Sequence, residues 1–303
     1  MRNRFRSVPR CANDQFMKPI QTRHDIAAQH GEDVADSAIQ RLECPLEKPM
    51  NNAPWPCGHF ARRNKTTRLL VVGLALAAAA MTGMPGAELT PFNGSDLSGW
   101  RKPTGTWQAA GGAVPVPDDP KKLSVTPGSG VLVNGETGRT SNLLTEQEHG
   151  DVEAHIEFVV PKGSNSGVYF QGRYEIQVLD SWGVEQLKHG DCGGIYQRYD
   201  EKEKRGFEGH PPRVNASKPP GEWQTFEVIF RAPRFDAAGK KLANARFIKV
   251  IHNGQVVHEN VDVTGPTRSA AFSDEKPAGP RMLQGDHGPV AYRNLRLKPI
   301  KLP

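Results

Sequence analysis

Two carboxylates and an amide stand close together in the segment from Tyr174 to Asp180. Glu175, Gln177 and Asp180 sit at offsets 0, 2 and 5, and side chains on a β-strand alternate between its two faces. Glu175 and Gln177 therefore share a face, whereas Asp180 joins them only if a β-bulge follows Gln177. Many glycosidases use two carboxyl groups, one as an acid and one as a base or nucleophile. With that bulge, the segment predicts a site that acts on sugars.

The longer stretch 165–183 predicts two short strands that share Gly172 at a kink. In the second strand, alternation sends the row of Tyr174, Ile176 and Val178 into a core. The opposite face suits a ligand with many hydroxyl groups, and its polar side chains are Tyr169, Gln171, Arg173, Glu175 and Gln177. The alternative interpretation is a solvated polar face on an ordinary sandwich.

Further candidates lie outside this stretch. His287 stands in the Gly-flanked loop 283–289, where it can act as an acid or a base, and Asp286 beside it either orients the ring or caps the turn. A rim histidine without a role is the alternative. Tyr196 follows Cys192 and two glycines and is predicted to reach the concave side. A divalent metal could bind through Glu175, Asp180 or His287, although the spacing does not demand one and no cofactor is otherwise indicated.

The fold predicted for residues 88–303 is an all-β sandwich or jelly roll in one domain. Short alternating segments recur there between Gly, Pro and Asn turns, without a sustained helical period. The segment 151–160 alternates cleanly, with Val152 and Ile156 on its apolar side. Asn253 and Gly254 predict a type I′ hairpin turn, because this pair readily takes positive φ angles.

The first 87 residues are predicted to lie outside that domain. Residues 1–60 form either a disordered leader or a stretch upstream of the true start. Residues 61–87 contain a basic run, an apolar run and small residues, which is the layout of a signal peptide. The apolar run is shorter than the roughly 20 residues of a membrane span. We therefore predict a bacterial protein that is secreted or periplasmic, without a stable membrane span, and with Cys192 as a buried lone thiol. Nothing indicates a nucleic-acid partner, because no basic stripe is interleaved with aromatic residues.

Several motifs resemble one known family in the same order along residues 88–300. They are Phe92–Trp100, Asn165–Tyr169, Glu175–Asp180, Gly221–Gln224, His252–Gly254, Leu283–Gly288 and Tyr292–Leu295. The chain resembles the 3-keto-disaccharide hydrolases, within the concanavalin-like lectin and glucanase superfamily. This resemblance implies a concanavalin-like jelly roll, exported by bacteria that degrade polysaccharides.

The resemblance also implies a mechanism. A ketone at C3 acidifies the proton at C2, so a base removes it, the C1 substituent leaves with help from an acid, and hydration completes a net hydrolysis. On this hypothesis Glu175 or His287 is the base, and Asp180 is an acid or a metal ligand. The resemblance assigns the enolate or the sugar hydroxyls to Asn165, Tyr169, Gln177, Tyr196 and Gln284.

The offsets 0, 2 and 5 are also similar to the Glu-x-Asp-x-x-Glu signature of family-16 glucanases. Here Gln177 replaces the middle Asp and Asp180 replaces the last Glu, which argues against their retaining double displacement. Two other functions remain open. One is a lectin-like module that binds sugar without turnover, and the other is an interaction sandwich whose polar face is incidental.

Overall fold

The structure is a computed structural model that describes residues 87–303. These residues form strands and loops without an α-helix. The strands in chain order are β1 Gln108–Val116, β2 Asp119–Val133, β3 Leu143–His149, β4 Val152–Val159, β5 Asn165–Phe170, β6 Tyr174–Leu179, β7 Arg198–Asp200, β8 Arg205–Phe207, β9 Gln224–Arg231, β10 Arg234–Phe235, β11 Lys241–Ala243, β12 Ala245–His252, β13 Gln255–Val263, β14 Gly279–Leu283 and β15 Ala291–Pro299.

Two antiparallel sheets make the sandwich. The larger has seven strands in the order β1-β2-β15-β4-β9-β12-β13, and the smaller has four in the order β3-β14-β5-β6. Each sheet also pairs strands that are far apart in sequence, as the position of β14 between β3 and β5 shows. The predicted all-β jelly roll is confirmed.

The core lies between the two sheets and uses alternate residues of each strand. From the smaller sheet, Tyr174, Ile176 and Val178 are fully buried, as the alternation in the sequence predicts. The ring of Phe170 lies 5.1 Å from that of Phe230 and 5.4 Å from that of Phe247, so residues from opposite sheets interlock. Because the inward row of β5 and β6 is apolar, their other row must face away from the core.

The stretch 165–183 folds differently from the prediction at two points. β5 and β6 do not share Gly172 at a kink but pair as a hairpin, with positive φ at both Gln171 (54°) and Gly172 (64°) in the turn. Their pairing runs in continuous register from Asn165 opposite Leu179 to Phe170 opposite Tyr174. The bulge that would bring Asp180 onto the polar face is therefore absent from this pair of strands.

The hairpin of β12 and β13 follows its sequence signal. Asn253 and Gly254 connect the strands with φ angles of 49° and 80°. Positive φ at both central residues is what a type I′ turn requires, so this prediction is confirmed.

The predicted leader and the basic and apolar runs of the signal segment lie outside the described residues. Within residues 87–303, no helix is long and apolar enough to cross a membrane. Cys192 is buried and forms no disulfide within the described residues, as predicted.

Candidate functional site

A cavity of about 240 Å³ opens on the face of the smaller sheet that points away from the core. Its lining combines three parts of that sheet, β5, β6 and the end of β14, with three loops. The lining residues are Asn165, Tyr169, Glu175, Gln177, Tyr196, Arg268, Ser269, Gln284 and His287. Seven of these nine are residues that the sequence predicts for the site, whereas Arg268 and Ser269 are not.

Glu175 supplies the carboxyl group at the buried end of the cavity. The residue is only 2% exposed. Burial raises the pKa of this carboxyl to about 8, against the opposing effect of the Tyr169 hydroxyl, and the negative charge of Asp286 adds to the rise. At neutral pH a large share of the molecules therefore holds a neutral Glu175, and the ionised form is a stronger base than an ordinary carboxylate.

Gly167 makes the space in which this carboxyl lies. Gly167 faces Gln177 across the hairpin, two pairs along from Tyr169 and Glu175 and on the same face. A Cβ atom at position 167 would lie 2.0 Å from Oε1 of Glu175 and 3.0 Å from the Tyr169 ring. The Glu175 carboxyl can therefore occupy its observed position only because residue 167 has no side chain.

Tyr169 lies beside Glu175 and remains a hydrogen-bond donor. Burial, with the negative charge of Glu175, raises the pKa of its phenol well above the usual 10. The hydroxyl donates to the backbone carbonyl of Arg268 at 3.3 Å. The site thus holds a neutral phenol next to its main titrating group.

Amide side chains line the cavity alongside these two residues. Gln177 Nε2 donates to Asn165 Oδ1 at 2.8 Å, which orients both amides. Gln284 is fixed through its backbone, because its N–H donates to Gly167 and its carbonyl accepts from the Ser166 hydroxyl at 2.8 Å. Oriented amides of this kind suit sugar hydroxyls.

The segment that carries Tyr196 extends the sheet beyond β6. The N–H of Tyr196 donates to the Glu175 carbonyl at 3.2 Å, and Gly193 and Gly194 exchange backbone hydrogen bonds with Gln177. This pairing brings Tyr196 to the cavity, as the sequence predicts. His189 packs edge-on against the Tyr196 ring.

His287 stands at the open end of the cavity. Its side chain is 46% exposed, and its Nδ1 lies 2.6 Å from Oδ1 of Asp286. Because a carboxylate only accepts, Nδ1 is the donor in this pair, which leaves Nε2 to exchange a proton with a ligand. Asp286 therefore orients the ring.

Three predicted site residues do not line the cavity. Asp180 lies past the end of β6, where Oδ2 accepts the Gly163 N–H at 2.9 Å. Gln171 donates to the carbonyls of His149 and Pro277. Without a bulge after Gln177, Asp180 is left to stabilise a turn, and the turn of the hairpin carries Gln171 away from the cavity.

Arg173, the third of these residues, anchors a loop instead. Its guanidinium donates to the backbone carbonyl and, at 2.8 Å, to the carboxylate of Asp274. Further along the same loop, the Thr267 hydroxyl donates to the Arg173 carbonyl and accepts the Glu175 N–H. These contacts fix the segment 264–278 against the hairpin.

Arg268 and Ser269 reach the cavity through that loop. They lie about 90 positions after the hairpin in a segment without periodicity, so no sequence signal indicates their place. Ser269 has a φ of 62°, which marks a tight local turn.

The predicted metal ligands do not converge. Glu175 and His287 line the cavity but Asp180 does not, and within the described part of the chain no group of three His, Cys, Asp or Glu residues could hold a metal ion. The residues present thus do not fit the three-ligand site that the sequence left open.

Comparisons with known proteins identify the family of the chain. A family model described as the 3-keto-alpha-glucoside-1,2-lyase-like domain matches residues 89–298. No curated protein matches the chain. Among solved structures, the chain is similar to a protein of Parabacteroides distasonis ATCC 8503 that is provisionally classed as a glycosyl hydrolase. That 2.13 Å crystal structure shares 28% identity and a TM-score of 0.49, and the match covers 70% of this chain and 84% of that chain.

Two more distant structures are also similar. A second protein provisionally classed as a glycosyl hydrolase from the same organism, at 2.00 Å, shares 19% identity with a TM-score of 0.46, over 71% of this chain and all (100%) of that chain. A carbohydrate-binding module from Bacillus subtilis shares 11% identity with a TM-score of 0.32, over 67% of this chain and 95% of that chain.

Proposed function

The chain belongs to the 3-keto-α-glucoside-1,2-lyase-like domain family, a family of carbohydrate-active domains, and from that premise we propose that it cleaves 3-keto glycosides by elimination followed by hydration. The observation that carries this proposal is Glu175, a buried carboxyl with its pKa raised to about 8, beside a neutral phenol in a sugar-sized cavity. A carboxyl with a pKa near the working pH is well suited to removing a proton from the carbon next to a ketone.

The size of the cavity supports one orientation of the substrate. The cavity of about 240 Å³ is smaller than the roughly 300 Å³ at which pockets for drug-sized ligands begin. It therefore encloses about one sugar ring, and the rest of a glycoside must extend through the open end. The 3-keto ring then lies against Glu175, and the bond to the leaving group lies toward His287.

In the elimination, Glu175 acts as the base. Its carboxylate takes the proton from C2, and the electron pair forms the enolate of the C3 ketone, whose oxygen accepts a hydrogen bond from Tyr169. As the ketone reforms, C1 and C2 become doubly bonded and the bond from C1 to the glycosidic oxygen breaks. Protonated His287 gives its proton to that oxygen, so the leaving group departs as a neutral alcohol.

Hydration then reverses the two proton transfers. Neutral His287 takes a proton from water, whose oxygen bonds to C1, and Glu175 returns a proton to C2. The products are a free 3-keto sugar and the alcohol, and both residues return to their starting protonation states. The same two groups thus serve both halves of a net hydrolysis.

The position of Asp180 favours this chemistry over a retaining double displacement. That mechanism requires a second carboxyl about 5 Å from the first, on the other side of the scissile bond. Asp180 is committed to the Gly163 turn and does not reach the cavity. Glu175 is then the only carboxylate among the residues that line it.

The experiment that tests the proposal is turnover of a 3-keto glucoside by the full chain. We expect release of the alcohol, loss of about 10²–10⁴-fold in kcat for Glu175→Gln, and a comparable loss for His287→Ala. The control Glu222→Gln alters an exposed carboxylate that does not line the cavity and should keep full activity. Sugar binding without turnover would contradict the proposal and favour a lectin-like module.

A further inference from the structure

Arg268 is the one permanently charged side chain among the residues that line the cavity. Within the part of the chain that the structure describes, its guanidinium has no ion-pair partner. Its central carbon lies 4.1 Å from the centre of the Tyr199 ring, a cation–π contact that helps to hold the group in place. A fixed, unpaired guanidinium presents a fork of donors that matches a carboxylate.

The backbone of Arg268 is held by two hydrogen bonds, and the side chain of the preceding residue is held by two more. Its N–H donates to the Gln197 carbonyl at 2.8 Å, and its carbonyl accepts from the Tyr169 hydroxyl at 3.3 Å. The preceding residue, Thr267, is hydrogen-bonded to both Arg173 and the N–H of Glu175. The backbone from which the guanidinium extends is therefore fixed in the wall of the cavity.

The guanidinium faces the open end of the cavity. Arg268 and Ser269 are exposed, whereas Glu175 is buried. Arg268 is thus placed beside the leaving group and away from the ring that loses its C2 proton.

A second arginine adds positive charge at the same end. Arg139 Nη1 donates to the backbone carbonyl of Asp286 at 2.7 Å, next to His287. The carboxylate of Asp286 is occupied by the His287 ring. The guanidinium of Arg139 thus lies beside a carboxylate that is already paired, and the charge of Arg268 in the cavity wall can attract anions.

We propose that Arg268 is a specificity-determining residue that binds a carboxylate on the leaving group, so that the site prefers 3-keto glycosides with an acidic aglycone such as a uronic acid residue. This inference rests on the proposed function, because the aglycone is a leaving group only if the elimination takes place. The binding of an anionic aglycone can nevertheless be measured by itself.

The test uses the glucosides of 4-hydroxybenzoate and of 4-hydroxybenzamide, which have nearly the same shape and differ in charge. Neither carries a ketone, so binding to the full chain is measured without elimination. At low salt we expect the 4-hydroxybenzoate glucoside to bind about tenfold more tightly than the 4-hydroxybenzamide glucoside. This gap in affinity should narrow at 0.5 M salt. Arg268→Gln should abolish the gap, and Arg268→Lys should restore part of it.

The matched control is Arg296→Gln, which removes an exposed arginine of β15 that also lacks an ion-pair partner within residues 87–303. This variant should keep the tenfold gap. Equal binding of the two glucosides, including no detectable binding of either, overturns the inference, and so does a gap that persists in Arg268→Gln.

The 3-keto forms of the same two glycosides separate this inference from the proposed function. A carboxylate preference in binding, without turnover of either 3-keto form, leaves the inference standing and contradicts the elimination. Turnover of both at equal kcat/KM, with equal binding, supports the elimination and overturns the role of Arg268.

Discussion

Glu175 occupies a space that exists because position 167 carries no side chain. Its carboxyl leans along the hairpin over Gly167, where a Cβ would lie 2.0 Å from Oε1. Gly167 has no positive φ, so its role is to leave room and not to permit an unusual backbone. At the scale of single residues, the site therefore depends on an absent side chain as much as on those present.

Gly167→Ala is expected to lower activity far more than stability. The clash falls on the far end of a flexible side chain, so Glu175 can move aside while the strands stay paired. A displacement of about 1 Å at a catalytic group can cost about 10²-fold in rate. The measurements are kcat and the thermal midpoint.

The control is Gly112→Ala in β1, whose added Cβ would meet only the Thr126 hydroxyl at 3.0 Å. This variant should keep its activity. Full activity in Gly167→Ala would show that the carboxyl does not need its observed position.

The raised pKa of Glu175 predicts a pH dependence of both rate and stability. Since Glu175 must be ionised while His287 is protonated, kcat/KM should follow a bell-shaped dependence on pH, with one limb set by the Glu175 pKa of about 8. Stability should change in one direction only. The folded state holds its proton up to about pH 8, whereas the unfolded chain loses it near the ordinary value of 4.5, so the free energy of unfolding falls across that window.

Glu175→Gln removes this fall in the free energy of unfolding with rising pH, which is at most about 5 kcal/mol for a pKa shift of this size. At pH 9 the variant should unfold at higher denaturant than the wild type, and at pH 4 the two should be alike. An identical difference at both pH values would contradict the assignment of the raised pKa to Glu175.

At the scale of elements, one hairpin and one loop make the site. The hairpin of β5 and β6 sets Tyr169 opposite Glu175, and the loop 264–278 covers that pair with Arg268 and Ser269. Arg173 is the anchor between the two, through its bonds to Asp274. Its predicted role in substrate binding gives way to a structural one.

Arg173→Met is expected to loosen the loop. It removes buried hydrogen bonds to the Asp274 and Gln171 carbonyls and should cost about 1–3 kcal/mol, with faster amide exchange across 264–278 and a higher KM. Arg213→Met breaks an exposed pair with Glu259 and should cost under about 1 kcal/mol. Unchanged exchange in the loop of Arg173→Met would contradict the anchoring role.

Alternation and turn chemistry are local, and this decides what the sequence can predict. Period 2 is enough to separate the buried row of Tyr174 and Ile176 from the polar row of Glu175 and Gln177. It does not reveal that the turn at Gly172 reverses the chain, or that no bulge precedes Asp180. Arg268 enters the site through contacts between segments about 100 positions apart, which no local pattern records.

At the scale of the whole molecule, the sandwich provides a rigid face on which distant segments meet. The core between the sheets is built from interlocking aromatic residues such as Phe170, Phe230 and Phe247. β14 ends at Leu283 and leads through Gln284 into the His287 loop, so the proposed base on β6 and the proposed acid after β14 are carried by one sheet, with β5 between their strands. Export of the domain stays a prediction from the sequence.

The measurement that tests the central claim most directly is hydrolysis of a 3-keto glucoside in D₂O by the full chain. Elimination and hydration replace the proton at C2, so the released 3-keto sugar should carry one deuterium at C2, beyond the exchange of the free sugar without enzyme. Glu175→Gln should release neither sugar nor label. Rapid release of a 3-keto sugar that keeps its original hydrogen at C2 would contradict the account, because it requires direct displacement at C1.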